Sequence, residues 1–266
     1  MTMMAICWSL VTASIRGEMQ YRLNFLIEIA VDLVYQSVGF VFILIVLGQF
    51  EAIEGWSLHD VTLLYGLRLA GHGLWSLLFS RLLLFDEMVQ QGDYDRMLLR
   101  PMPSILQLMF GGFRVAALGD ALGGIVLLGV AISIADVEWS AFKVLFLIAA
   151  VIGGAMLDGA FQLGPAALTF RFLNSASLRG FFDNLFSQYG GYPLSIFERR
   201  VRNTLTFVLP LAFMAWVPAT VLLGRTDELP FPAPVAWASP LIGAALLFVA
   251  YRIFRHESRH YQSAGS

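Results

Sequence analysis

Residues 90–104 read QQGDYDRMLLRPMPS. Asp93, Asp95, Arg96 and Arg100 fall within eight positions of a chain that otherwise avoids charge. Gly92 permits a sharp turn, Asp93 suits a helix N-cap, and Pro101 stops a helix before Pro103. The spacing predicts helix, break at Gly92, helix, with Met97, Leu98 and Leu99 as the apolar side of the second piece. A plain connector between helices needs only ~2–8 residues. This one is longer, structured and amphipathic, which suits it to docking.

The polar island stands between long apolar runs. The 266 residues are 58% hydrophobic and 14% charged, with a mean hydropathy of +0.72. An ordinary soluble domain carries ~25% charged residues, so water cannot be this chain's only solvent. A membrane-crossing helix takes about 20 mainly apolar residues, and six segments meet that need: 23–48, 58–84, 105–134, 141–169, 204–223 and 238–254. They lack the alternation of barrel strands, so the expected fold is an all-α integral membrane protein with six transmembrane helices. Residues 1–22 carry no cations ahead of their apolar run, unlike a secretory signal, and are expected as an interfacial N-terminal helix. Cys7, the single cysteine, reads as a small hydrophobe. Pro210 and Pro218 are expected to bend the fifth segment.

Orientation follows from the cations. With both termini cytoplasmic, thirteen of the 17 Lys and Arg residues face inward, from Arg16 to Arg259, while Lys143 and Arg225 face outward. Trp56, Trp139 and Trp237 then fall at outer span ends, as an interfacial aromatic belt requires. Residues 85–104 become a cytoplasmic loop, and 171–203 a cytoplasmic amphipathic segment that either contacts a partner or lies along the lipid headgroups.

GDYDRMLLRP (Gly92–Pro101) resembles the G-(D/E)-x-D-x-x-L-x-R-P sequence that follows the second span in permeases of ABC-2-type exporters. A second stretch, YPLSIFERRVRNTLTFVLPLAFMAWVPATVLLG (Tyr192–Gly224), is similar to a downstream pattern of the same group. The resemblance covers one permease domain, 1–266. It implies that 85–104 is a coupling loop seated on a separate ATPase, with Gly92, Asp93, Tyr94, Asp95, Arg96, Leu98, Leu99, Arg100 and Pro101 at the contact. It also implies a second permease subunit, identical or related, and a bacterial cytoplasmic (inner) membrane location.

No G-x-x-x-x-G-K-[ST] occurs, and Lys143 is the only lysine. A phosphate-binding loop lysine is therefore impossible, and ATP and Mg would be bound by the partner. The chain itself calls for no cofactor and no metal. A net charge of −2 gives no reason to expect nucleic acid. There is no H-E-x-x-H or G-x-S-x-G, and the four histidines are scattered, so an intramembrane enzyme is disfavoured. A secondary transporter or channel not driven by ATP remains the alternative, although its expected internal halves are absent.

Ionisable groups at membrane depth are costly and are functional candidates. Glu28, Asp32 and Gln36 share one helix face. Folding the first hairpin about residue 53 sets Asp32 near His72 and Arg68, and Glu28 near Arg81. Folding the second about residue 138 levels Asp120 with Asp158 and sets Arg114 opposite Gln162. Two readings stand for Glu28, Asp32, Gln36, Arg68, His72, Asp120 and Asp158. Pairing that only holds helices together is favoured, since partners are within reach; the other is a pathway lining that takes a cationic cargo. Gly123, Gly124, Gly153 and Gly154 are expected at close helix contacts.

Overall fold

The computed structural model describes residues 3–47, 52, 54–112 and 114–262. The side chains of Cys7 and Asp32 lie outside the described set, and the readings placed on them go no further. The described residues form helices and turns and no strand.

Helix α1 (Met3–Glu18) passes through a 3-10 turn at Met19–Tyr21 into α2 (Arg22–Leu47). Helix α3 (Leu58–Phe79) begins at a reciprocal capping box. Ser57 Oγ accepts from the Asp60 backbone N–H at 3.2 Å, and Asp60 accepts from the Ser57 N–H at 3.0 Å, which satisfies two donors that every helix start leaves open. A 3-10 turn at Ser80–Leu84 leads to α4 (Phe85–Gln90) and α5 (Asp93–Leu98). Then come α6 (Ser104–Phe110), α7 (Ala116–Ile134) and α8 (Ala141–Phe172), the last closed by Leu173 at φ 57. After α9 (Ala176–Tyr189) the chain is broken into α10 (Arg199–Asn203), α11 (Trp216–Leu222) and α12 (Ala233–Trp237) before α13 (Ser239–Arg259).

The central helix is α3, held between α7 and α8. A Cβ on Gly73 would stand 2.6 Å from Ala121 Cα, and one on Gly124 would stand 2.6 Å from the Leu69 carbonyl oxygen. Both are closer than real Cβ atoms approach, so the two backbones pack at a distance only glycine allows. Helix α13 closes on α8 in the same way, with a Cβ on Gly153 2.5 Å from Pro240 Cα.

Helices α7 and α8 are each long and apolar enough to cross a membrane. The outer faces of several helices are also apolar. Leu23, Leu26, Val31, Val34, Val38 and Ile45 are exposed on α2, Ile125 and Val126 on α7, Leu145 and Ile148 on α8, and Leu241 and Phe248 on α13. Such a coat has no place in water.

One end of the bundle is fixed by Arg225. Its guanidinium lies 4.6 Å from the Trp56 ring centroid, 3.2 Å from Asp60 and 2.6 Å from Glu228. Lys143 Nζ donates to the Leu222 carbonyl at 3.0 Å beside it. The other end gathers α4, α5, the end of α8 and the end of α13.

Four sequence expectations change. Helix α2 packs mainly against α7 and touches α3 only in a few places, so the first two segments do not form the close hairpin that the arithmetic about residue 53 assumes. The segment 105–134 is two helices, α6 and α7, interrupted at 111–115. The segment 204–223 is no single helix: a π turn at Thr204–Val208 ends at Pro210, which has no N–H to continue it, and a 3-10 turn precedes α11. Pro218 bends nothing, since it sits in the first turn of α11, where an N–H has no helical partner. Helix α9 turns back along α8, with Phe186 against Phe161 at 5.3 Å, and its far end meets α3 where Gly191 touches the Tyr65 ring. Phe186 is buried against the neighbouring helix, whereas Phe181 stays 53% exposed.

Candidate functional site

Two features stand out, an exposed helical ledge and a polar cavity, with a buried ion pair between them.

The ledge is the pair α4 and α5. The break falls at Gly92, whose φ of 74 is left-handed and comfortable only for glycine. Gly92, not Asp93, is the N-cap residue; Asp93 is the first helical residue and pairs with Arg96 at 3.1 Å on the surface. Tyr94 is fully buried, its hydroxyl 2.7 Å from Ser258 Oγ and 3.2 Å from Ser104 Oγ. Its ring stands edge-on to Phe85 at 5.5 Å. Met97 is also inside, and Gln107 Nε2 donates to its carbonyl at 2.8 Å and to that of Met102 at 2.9 Å. Those bonds satisfy acceptors that a helix end leaves open and hold the end of α5 firmly. The apolar side expected from Met97, Leu98 and Leu99 therefore splits. Met97 and Tyr94 anchor the ledge to its own core, whereas Leu98 is 50% and Leu99 86% exposed. Arg96, Arg100 and Pro101 are exposed beside them.

The cavity holds about 470 Å³ between α2, α3, α7 and α9. Four of the intramembrane candidates line it: Gln36, Arg68, His72 and Asp120. Asp158 stands behind His72, with Oδ2 2.8 Å from His72 Nδ1, while Asp120 lies 4.0 Å from His72 Nε2. Asp120 also accepts from Gln36 at 2.6 Å and from Ser76 at 2.8 Å. The levelling of Asp120 with Asp158 is thus met, with His72 as the bridge. The Glu28–Arg81 pairing drawn from the first hairpin is not met: Glu28 is exposed on α2, and Arg81 lies against the Gly111–Gly112 turn, because α2 leans on α7. The pairing drawn for Asp32 lies outside the described residues. Arg114 faces the cavity rather than Gln162, whose amide donates to Asp183.

Sequence reasoning did not single out Asp86 or Asp183. Asp86 and Arg179 are 5% and 3% exposed. Their closest oxygen and nitrogen lie 2.8 Å apart, with a second contact at 3.3 Å. Thr169 donates its hydroxyl to the same carboxylate, and the Ser175 backbone N–H donates to it at 3.2 Å. Burial pushes the Asp86 carboxyl up, but the Thr169 hydroxyl, the Arg179 guanidinium and the Ser175 amide together hold it below its ordinary value of 3.8. This cluster ties α4 to α9. One turn beyond Arg179, α9 presents Asp183, and then Phe186 and Ser187, to the cavity. An acid and a cation four apart in the aromatic run LRGFFDNLF (Leu178–Phe186) were the available signal.

The family model described as ABC-2 family transporter protein matches residues 33–265. The chain belongs to that family. It is an integral membrane component of an ABC transporter, a permease, and membership implies ABC ATPase subunits as partners. No curated protein matches the chain, and no solved structure does.

Proposed function

We propose that this chain is the permease of an ATP-driven exporter, working as a dimer with two separate ATPase subunits that bind ATP and Mg. The observation that carries this reading is the ledge. Its inner residues Tyr94 and Met97 are locked into the core, while Leu98, Leu99, Arg96, Arg100 and Pro101 stand out. A nearly bare leucine flanked by arginines fits a groove with an apolar floor and an acidic rim.

In this reading the Gly92 end of the bundle is cytoplasmic and both termini lie there, in a bacterial inner membrane. Helices α2, α3, α7, α8 and α13 make five crossings. The sixth is α9 with its continuation through Tyr192–Phe197, in place of 204–223. The stretch 204–222 then dips into the bundle and returns to the Trp56 end. Arg199, Arg200 and Arg202 leave the cytoplasmic count, and the remaining cytoplasmic cations still outnumber those outside, which supports this orientation.

The mechanical route runs through named residues. Closure of the ATPase dimer pushes the ledge, Asp86 carries the displacement from α4 to Arg179, and α9 moves Asp183, Phe186 and Ser187 in the cavity wall. A rigid packed element transmits such a shift better than a loose loop. The test is affinity purification from native membranes, wild type against an Asp95→Ala, Arg96→Ala, Leu99→Asp variant. The variant is expected to lose the co-purifying ATPase and its stimulated hydrolysis. Equal recovery and equal stimulation would refute the assignment. Export that proceeds without nucleotide would favour a secondary transporter.

A further inference from the structure

We infer that the cavity binds an organic anion, which sets a carboxylate or phosphate on Arg68 and an apolar body against the surrounding rings. This deepens the transport reading by giving the charge of the cargo.

Arg68 is 7% exposed and lines the cavity, yet its Nε has no hydrogen-bond acceptor, and it forms no ion pair among the described residues. A buried guanidinium with no carboxylate paired to it among the described residues is costly, and its planar fork matches carboxylate and phosphate oxygens. Arg114 adds a second cation at the exposed rim, also without an ion pair among the described residues.

The two acids that line the cavity are already served: Asp120 accepts from Gln36 and Ser76, and Asp183 accepts from Gln162. Asp158 stands behind His72, 2.8 Å from its Nδ1, and its other oxygen has no hydrogen-bond partner among the described residues but lies outside the cavity lining. A cationic ligand would have to displace those donors and would set its charge beside Arg68. An anion leaves those hydrogen bonds in place, and Arg68 and Arg114 offset the Asp120 and Asp183 carboxylates that share the lining. Tyr35, Tyr65, Trp75 and Phe186 furnish the walls, and about 470 Å³ lies in the range of small-molecule sites. The anion could be a phospholipid headgroup or a free organic acid, and both present the same oxygens.

The full chain in phosphatidylcholine nanodiscs, without any ATPase, is titrated with phenyl phosphate and with phenyltrimethylammonium. Binding is read by saturation-transfer NMR and calorimetry. Phenyl phosphate is expected to bind and the ammonium probe not to. Arg68→Gln should weaken phenyl phosphate at least tenfold, and Arg68→Lys should recover part of the loss. Should Arg68→Gln fail to fold, Arg114→Gln at the rim is the second variant, with a loss of about threefold expected. Native mass spectrometry of the purified protein identifies the source. A phospholipid retained by wild type and lost in Arg68→Gln indicates a headgroup, and an empty protein that binds the probe indicates a free acid. The inference is overturned if the ammonium probe binds as tightly, if the folded variants keep wild-type affinity, or if wild type neither binds the probe nor retains an acidic lipid. The assay contains no motor, so failure here leaves the coupling assignment standing, and loss of ATPase contact leaves this binding untouched.

Discussion

Arg179 Nη2 lies 2.8 Å from Asp86 Oδ2, and this contact fastens the base of the ledge to the helix that walls the cavity. Removing one partner strands the other. Asp86→Asn is expected to destabilise the protein by about 3–5 kcal/mol, the range for an uncompensated buried charge. Detergent-phase melting checks this. The Asp86→Arg, Arg179→Asp exchange should recover part of the loss, since it restores opposite charges in the same place.

The same pair sets a pH response. The folded-state pKa of Asp86 lies below its ordinary 3.8. Its contribution to stability is therefore fully present above 3.8 and is lost as pH falls through the lower folded value. Melting temperature should show no change from this group between pH 5 and 8 and should fall on stronger acidification, and Asp86→Asn should flatten that acid limb.

On the ledge, stability and function should separate. Leu99 is 86% exposed, so Leu99→Asp should shift stability by no more than about 0.5 kcal/mol while abolishing ATPase stimulation. Tyr94→Phe should do the reverse. It removes the hydroxyl bonded to Ser258 and Ser104, at a cost of about 1 kcal/mol, and leaves the outer face intact. Melting curves and ATPase assays on the two variants decide it.

The α3–α7 seam has no room to spare. Gly73→Val would drive side-chain atoms into the backbone at Ala121. Overpacking of this kind costs about 1–3 kcal/mol, and a lower yield of folded protein from membranes, with a lower melting temperature, is the expected readout.

The break at Gly92 was legible in the sequence because glycine, acidic residues and proline each carry a local signal. The depth of Asp120 and Asp158 was legible because two helices joined by a short turn, 135–140, must run antiparallel. What escaped depended on which helix leans on which. Nothing local in 22–47 says that α2 chooses α7 over α3, and that choice moves Gln36 onto Asp120 and leaves Glu28 outside. The burial of Arg179 escaped for a similar reason. Arg179 looks like a surface cation until Asp86, 93 positions away, is seen to bury it. The fifth apolar run was counted by hydropathy, which does not register that Pro210 divides it.

The most direct test of the central claim places the photoreactive residue p-benzoylphenylalanine at position 99 of the ledge and, separately, at position 181, exposed on α9. Irradiation of native membranes should join the ATPase subunit to the permease through position 99 and not through 181. If position 99 captures no ATPase, or if 181 captures it equally well, the ledge is not where the motor grips.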